Sequence, residues 1–89
     1  MRLIKKNQDG KTFETSTPGF KILYRNKNSI AGDNAENPKE LIYLITGIAE
    51  ITVDNKIWKS KAPAEIKIPA NTYHKIKALT NITFVLFEN

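Results

Sequence analysis

Ile68-Pro69-Ala70-Asn71-Thr72-Tyr73-His74 is the stretch on which the fold is decided. Proline has no N–H for a sheet ladder, so an apolar strand stops at Ile68. Asn71 tolerates the left-handed backbone that a tight turn demands. A new strand then starts at His74, the one histidine of the chain. Along it His74, Ile76 and Ala78 share one face, while Tyr73, Lys75 and Lys77 share the other. Lysines outward and apolar residues inward place the imidazole inside.

Working outward, residues 40–46 alternate in the same way. Glu40, Ile42, Leu44 and Thr46 lie on one face and Leu41, Tyr43 and Ile45 on the other. Both faces are largely apolar, which predicts cover on both sides, one by the barrel interior and one by a second sheet or a partner subunit. Gly47 marks a bend before the next strand. Asp54-Asn55 is a hairpin turn between Ile51-Thr52-Val53 and Lys56-Ile57-Trp58. Strands are expected near 2–5, 19–26, 40–46, 48–53, 56–59, 65–68, 74–79 and 82–88. Helical spacing is nearly absent, and short runs of Ile, Val, Thr and aromatics between turn residues are the mark of an all-β barrel or sandwich. Residues 27–39, with Gly, Pro, Asp and three Asn, read as the longest loop.

At 89 residues the chain is expected to be a single domain with one core. A domain of this size buries only about 60–65% of its unfolded surface, so association is expected to help it. In the last strand Ile82, Phe84 and Leu86 share one face and Thr83, Val85 and Phe87 the other; covering both, and the outward face of 41–45, needs more than one small core and points to a homodimer. There are no cysteines, which excludes disulfides, thiolate metal sites and cysteine nucleophiles. The longest purely apolar run, 41–45, cannot span a bilayer, and no secretory h-region follows the first residues. A soluble, cytoplasmic protein without membrane partners is expected. The formal charge of +5 favours anionic ligands or nucleic acid. The lysines are scattered singly, however, as on a solvated surface that discourages strand-edge association.

The two segments together resemble the cupin superfamily. Its motifs run G-x5-H-x-H-x(3,4)-E-x6-G and G-x5-P-x-G-x2-H-x3-N. Glu40 followed by Gly47 matches the end of the first, and Pro69, Asn71 in place of glycine, and His74 match the second. The resemblance spans roughly residues 34–87 and implies an all-β, cupin-like jelly-roll β-barrel of two antiparallel sheets. It also implies a metal site in which two histidines, the glutamate and the second-motif histidine converge. Here the first-motif histidine positions fall on Asn34 and Glu36, or on Asp33 and Ala35, and Ala78 replaces the final Asn. Glu40, His74 and Glu36 are the remaining metal-ligand candidates, with Asp33 as an alternative. An oxygen-rich set of that kind implies either no cofactor or a weakly bound divalent ion.

His74 and Glu40 are the catalytic candidates. An imidazole near a carboxylate in a partly desolvated barrel mouth serves as general acid or base, as isomerase- or epimerase-like chemistry requires. The competing reading is a buried histidine that only bonds a neighbour. Tyr43 and Trp58 are ligand-binding candidates, although aromatics in small barrels are also core or interface residues. Arg25 is either a surface arginine or a bidentate anchor for an anionic group. Tyr73 is expected to point away from His74 and to pack between subunits. The function expected is binding of a small polar or anionic metabolite inside the barrel, with acid–base chemistry. A non-catalytic ligand-binding or assembly module is the alternative. A basic OB-like barrel that binds single strands is disfavoured, because the eight aromatics are dispersed rather than clustered.

Overall fold

Turn residues break the chain into ten strands and no helix among the described residues, which are 1–88 of a computed structural model. The strands are β1 (Arg2–Asn7), β2 (Gly10–Glu14), β3 (Phe20–Arg25), β4 (Ile30–Asn34) and β5 (Glu40–Thr46). They continue as β6 (Ile48–Val53), β7 (Lys56–Lys61), β8 (Ala64–Ile68), β9 (His74–Ala78) and β10 (Ile82–Glu88). A six-stranded sheet has the order β1-β2-β3-β10-β5-β8, and a four-stranded sheet the order β4-β9-β6-β7. All pairings are antiparallel. Among the described residues no helix is long and apolar enough to cross a membrane.

The inner faces follow strand parity. Ile42 and Leu44 of β5, Ile66 and Ile68 of β8, and Phe84 of β10 face Ala49, Ile51, Ile76 and Ala78 of the smaller sheet, all buried. Outside the larger sheet, a row of apolar side chains runs Phe13–Ile22–Val85–Tyr43 across four adjacent strands. Phe13 and Tyr24 meet edge to face there, as do Phe20 and Phe87.

Two strands differ from the sequence expectation. The stretch read as a 27–39 loop contains β4, which pairs with β9 at the edge of the smaller sheet. Gly32, Asp33 and Asn34 are poor strand formers, and this strand tolerates them because it is an edge with a bulge. The second omission is β2, which opens at Gly10 after the two-residue turn Gln8-Asp9, a hairpin connection to β1. Three local expectations match the backbone. Gly47 (φ 88°), Asp54 (φ 54°) and Asn71 (φ 53°) all take positive φ at the bend, the hairpin and the turn before β9.

Candidate functional site

Glu40 opens β5 and His74 opens β9, so each stands where a strand enters the sandwich from the same end. The two belong to opposite sheets and face one another across the interior, with His74 Nε2 and Glu40 Oε1 3.6 Å apart. Only 5% of His74 and 8% of Glu40 is exposed. The residual exposure opens onto a cavity of about 390 Å³ whose floor includes Ile42, Ile76, Phe84 and Leu86. That volume lies within the range of sites that hold small molecules, about 300–1,000 Å³.

The turn before β9 fixes the imidazole. His74 Nδ1 lies 3.1 Å from the Thr72 carbonyl oxygen, which can only accept, so Nδ1 carries the proton. In the neutral ring Nε2 is therefore a bare acceptor aimed at Glu40. Burial pushes the Glu40 carboxyl above its ordinary range, His74 opposes that shift, neighbouring Glu88 adds to it and Lys21 opposes it. Glu88 is the cross-strand partner of Glu40 and is itself held by Lys21 Nζ at 3.1 Å.

Asn37 is a site-building residue that sequence reading did not single out. Its buried amide donates to the Pro38 and Pro69 carbonyls at 2.8 and 2.9 Å, and its Oδ1 accepts from the Thr72 N–H at 3.1 Å. Asn71 N–H donates to the Asn37 carbonyl at 2.9 Å. Asn37 thereby ties the segment before β5 to the turn that aims His74. A loop asparagine between polar neighbours gives no sequence signal of this burial.

The other candidates are distributed unevenly. Arg25 lies on the cavity wall, but its guanidinium donates to the Lys11 and Tyr24 carbonyls and to Thr12 Oγ1 at 2.9–3.0 Å. Three of the five N–H donors of an arginine are thus engaged. Burial lowers its pKa, an effect that nearby Asp9 opposes. Tyr43 does not line the cavity, because parity turns it to the outer face of the larger sheet, 38% exposed. Trp58 shares the inner side with its partner Ile51 but sits on edge strand β7, 40% exposed and outside the cavity lining. Tyr73 points away from His74 and donates its hydroxyl proton to Asp33 Oδ1 at 2.6 Å. Leu44 and Ala78 belong to the packed core rather than to the cavity wall.

The ligand set that the motifs imply for a metal does not form. Glu36 reaches the cavity rim, yet no three metal-donor side chains gather among the described residues. The position opposite His74 on β4 holds Asn34, whose Oδ1 accepts from the Glu36 N–H at 3.2 Å. One imidazole and one carboxylate 3.6 Å apart do not make the donor set of a tightly held ion.

No family model and no curated protein matches the chain in sequence. Solved structures do match it in fold. An RmlC-like cupin from Shewanella frigidimarina superposes with a TM-score of 0.84 at 15% identity, over 98% of this chain and 82% of that one. A conserved protein of unknown function from Streptococcus pyogenes gives 0.70 at 18% identity, over 98% and 71%. The salicylate 1,2-dioxygenase of Pseudoaminobacter salicylatoxidans gives 0.72 at 10% identity, over 78% of this chain and 20% of that one. The fold is therefore that of a small cupin: an all-β jelly roll of two antiparallel sheets, an architecture that enzymes and proteins of unknown function share.

Proposed function

We propose that this cupin-fold chain binds a small polar metabolite in the 390 Å³ cavity, and that His74 and Glu40 move a proton on it. The observation that carries this reading is the meeting of two groups, each more than nine-tenths buried, 3.6 Å apart at the cavity wall. That spacing is too long for a good direct hydrogen bond and leaves both groups available to a ligand. Nε2 in its neutral state accepts a proton from carbon or oxygen, and a neutral Glu40 carboxyl donates one. Such a pair suits isomerase- or epimerase-type proton transfer.

Charge narrows the ligand. Four of the nine carboxylates of the chain (Asp9, Glu36, Glu40 and Glu88) line the cavity, against two of its fourteen lysines and arginines, Lys5 and Arg25. With Glu40 protonated and Glu88 paired to Lys21, Asp9 and Glu36 balance Lys5 and Arg25, so the cavity offers an anion no net positive charge even though the whole chain carries +5. An uncharged, hydroxyl-bearing molecule suits the site better. The absence of first-motif imidazoles favours a second reading, a ligand-binding module without turnover. The test is titration of neutral aldoses and the matching sugar acids into the protein, read on the ring resonances of its single histidine. A neutral sugar is expected to move them and the acid to leave them still. A sugar that stabilises the fold without touching His74 would contradict the assignment.

The apolar row Phe13–Ile22–Val85–Tyr43 supports a homodimer closed through the larger sheet.

A further inference from the structure

One bulge decides which side chain faces the imidazole. β4 pairs with β9 as Ala31↔Ile76 and Gly32↔Lys75, so a regular ladder would next set Asp33 opposite His74. Instead the register shifts, and Asn34 takes that place. Gly32 (φ 85°) and Asp33 (φ 66°) both take positive φ at the shift. Asn34 consequently lines the cavity, and Asp33 turns to the outer side, where its Oδ1 accepts the Tyr73 hydroxyl at 2.6 Å.

The same bulge sets the ring. A Cβ on Gly32 would lie 2.9 Å from His74 Cδ2, 3.0 Å from Nε2 and 3.2 Å from the His74 carbonyl oxygen. The glycine backbone therefore passes against the ring edge next to Nε2, with no room for a side chain. Three contacts hold the imidazole: Thr72 at Nδ1, Gly32 at the Cδ2–Nε2 edge and Glu40 beyond Nε2. Only the Gly32 contact depends on the β4 register.

We infer that Tyr73 and Asp33 form an external latch that holds the Gly32–Asp33 bulge in register, and so positions His74 and keeps a second carboxylate out of the site. Tyr73 is adjacent to His74 in the chain, so the latch joins the two strands at the residue it serves. Without it, a one-residue slip toward the regular ladder turns Asp33 inward, toward Glu40 and the imidazole. Tyr73 and Asp33 are positioning residues, since both lie outside the cavity lining. The inference rests on the cavity reading for its functional meaning, but its test does not.

The experiment compares Tyr73→Phe, Asp33→Ala and Asp33→Asn by the ring nitrogen signals of His74 in the full chain, at one fixed alkaline pH. Amide spectra confirm folding. Tyr73→Phe and Asp33→Ala remove the latch and are expected to change the Nδ1–H to Nε2–H tautomer ratio roughly threefold to tenfold, the scale of one lost hydrogen-bond constraint. Asp33→Asn keeps an acceptor and a residue tolerant of positive φ, so it is expected to retain the wild-type ring signals. A latch that only adds stability would lower the melting temperature and leave the ring unmoved, which would overturn the inference. So would an Asp33→Asn spectrum matching that of Asp33→Ala. If one variant fails to fold, the other substitutions still decide. A wild-type ring that answers to a sugar while the latch variants stay silent would retire the latch and leave the cavity reading standing.

Discussion

The two ends of the interior are built from the same strands and do opposite things. β5 gives Leu44 to the packed end and Glu40 to the open end; β9 gives Ala78 and His74; β10 gives Ile82 and Glu88. Within each strand both residues face inward, so parity is constant and only polarity changes. At the packed end apolar side chains fill the space between sheets. At the other end short or ionisable side chains leave a cavity, and the polar groups there are fixed by neighbours rather than by packing. Site and core are thus one layer, divided by residue type along each strand.

The sharpest way to break this contrast is at Leu44, which is 2% exposed in the packed end. Leu44→Ala is expected to cost about 2–5 kcal/mol in denaturant unfolding, from lost burial and the cavity left behind. The His74 ring signals of the fraction that remains folded should be unchanged. A large ring shift would mean that the two ends are not separable.

Asn37→Ala comes next. It strands the Thr72 N–H and two proline carbonyls that the amide now satisfies, at a cost of about 1–3 kcal/mol. Unlike Leu44→Ala, it should also disturb His74, because the turn that supplies the Nδ1 partner loses its anchor. Equal stability loss with an undisturbed ring would show that the turn holds itself.

Much of this arrangement was legible in the sequence. Glu40 and His74 announced themselves by strand parity and by proline and asparagine before the second strand, and the structure brings them face to face. Arg25 lies on the cavity wall, with its donors largely engaged by β2 and its own strand. What the sequence concealed was carried by residues with weak strand propensity. β4 is written in Ile-Ala-Gly-Asp-Asn, and only pairing with β9 makes it a strand. Its bulge decides that Asn34 rather than Asp33 faces the site, and no periodicity reveals a one-residue shift. Tyr43 and Trp58 mislead for a different reason. Aromatics mark apolar surroundings, and here those are an outer face and a sheet edge rather than the cavity.

Glu40→Gln gives a smaller, pH-dependent effect. The Glu40 carboxyl titrates above its unfolded value because of burial, so the folded state holds its proton more tightly. Its contribution to stability is fully present below the unfolded carboxylate pKa and is lost as pH rises through the raised one. The glutamine variant, neutral throughout, should therefore gain on wild type in thermal melts as pH rises across that window, then run parallel to it. A constant difference at all pH would show that the carboxyl is not perturbed. The smallest effect is expected outside: Lys77→Gln on the outer face of β9 should change stability by no more than about 0.5 kcal/mol.

The decisive measurement is a long-range proton–nitrogen spectrum of the lone imidazole in wild type and Glu40→Gln, at a pH where the ring is neutral. A protonated Nδ1, with an Nε2 signal that moves when the carboxylate is neutralised, is the result required by an acid and a base facing each other across the sandwich. An averaged tautomer like that of free histidine, unmoved by the substitution, would mean that the two groups do not meet.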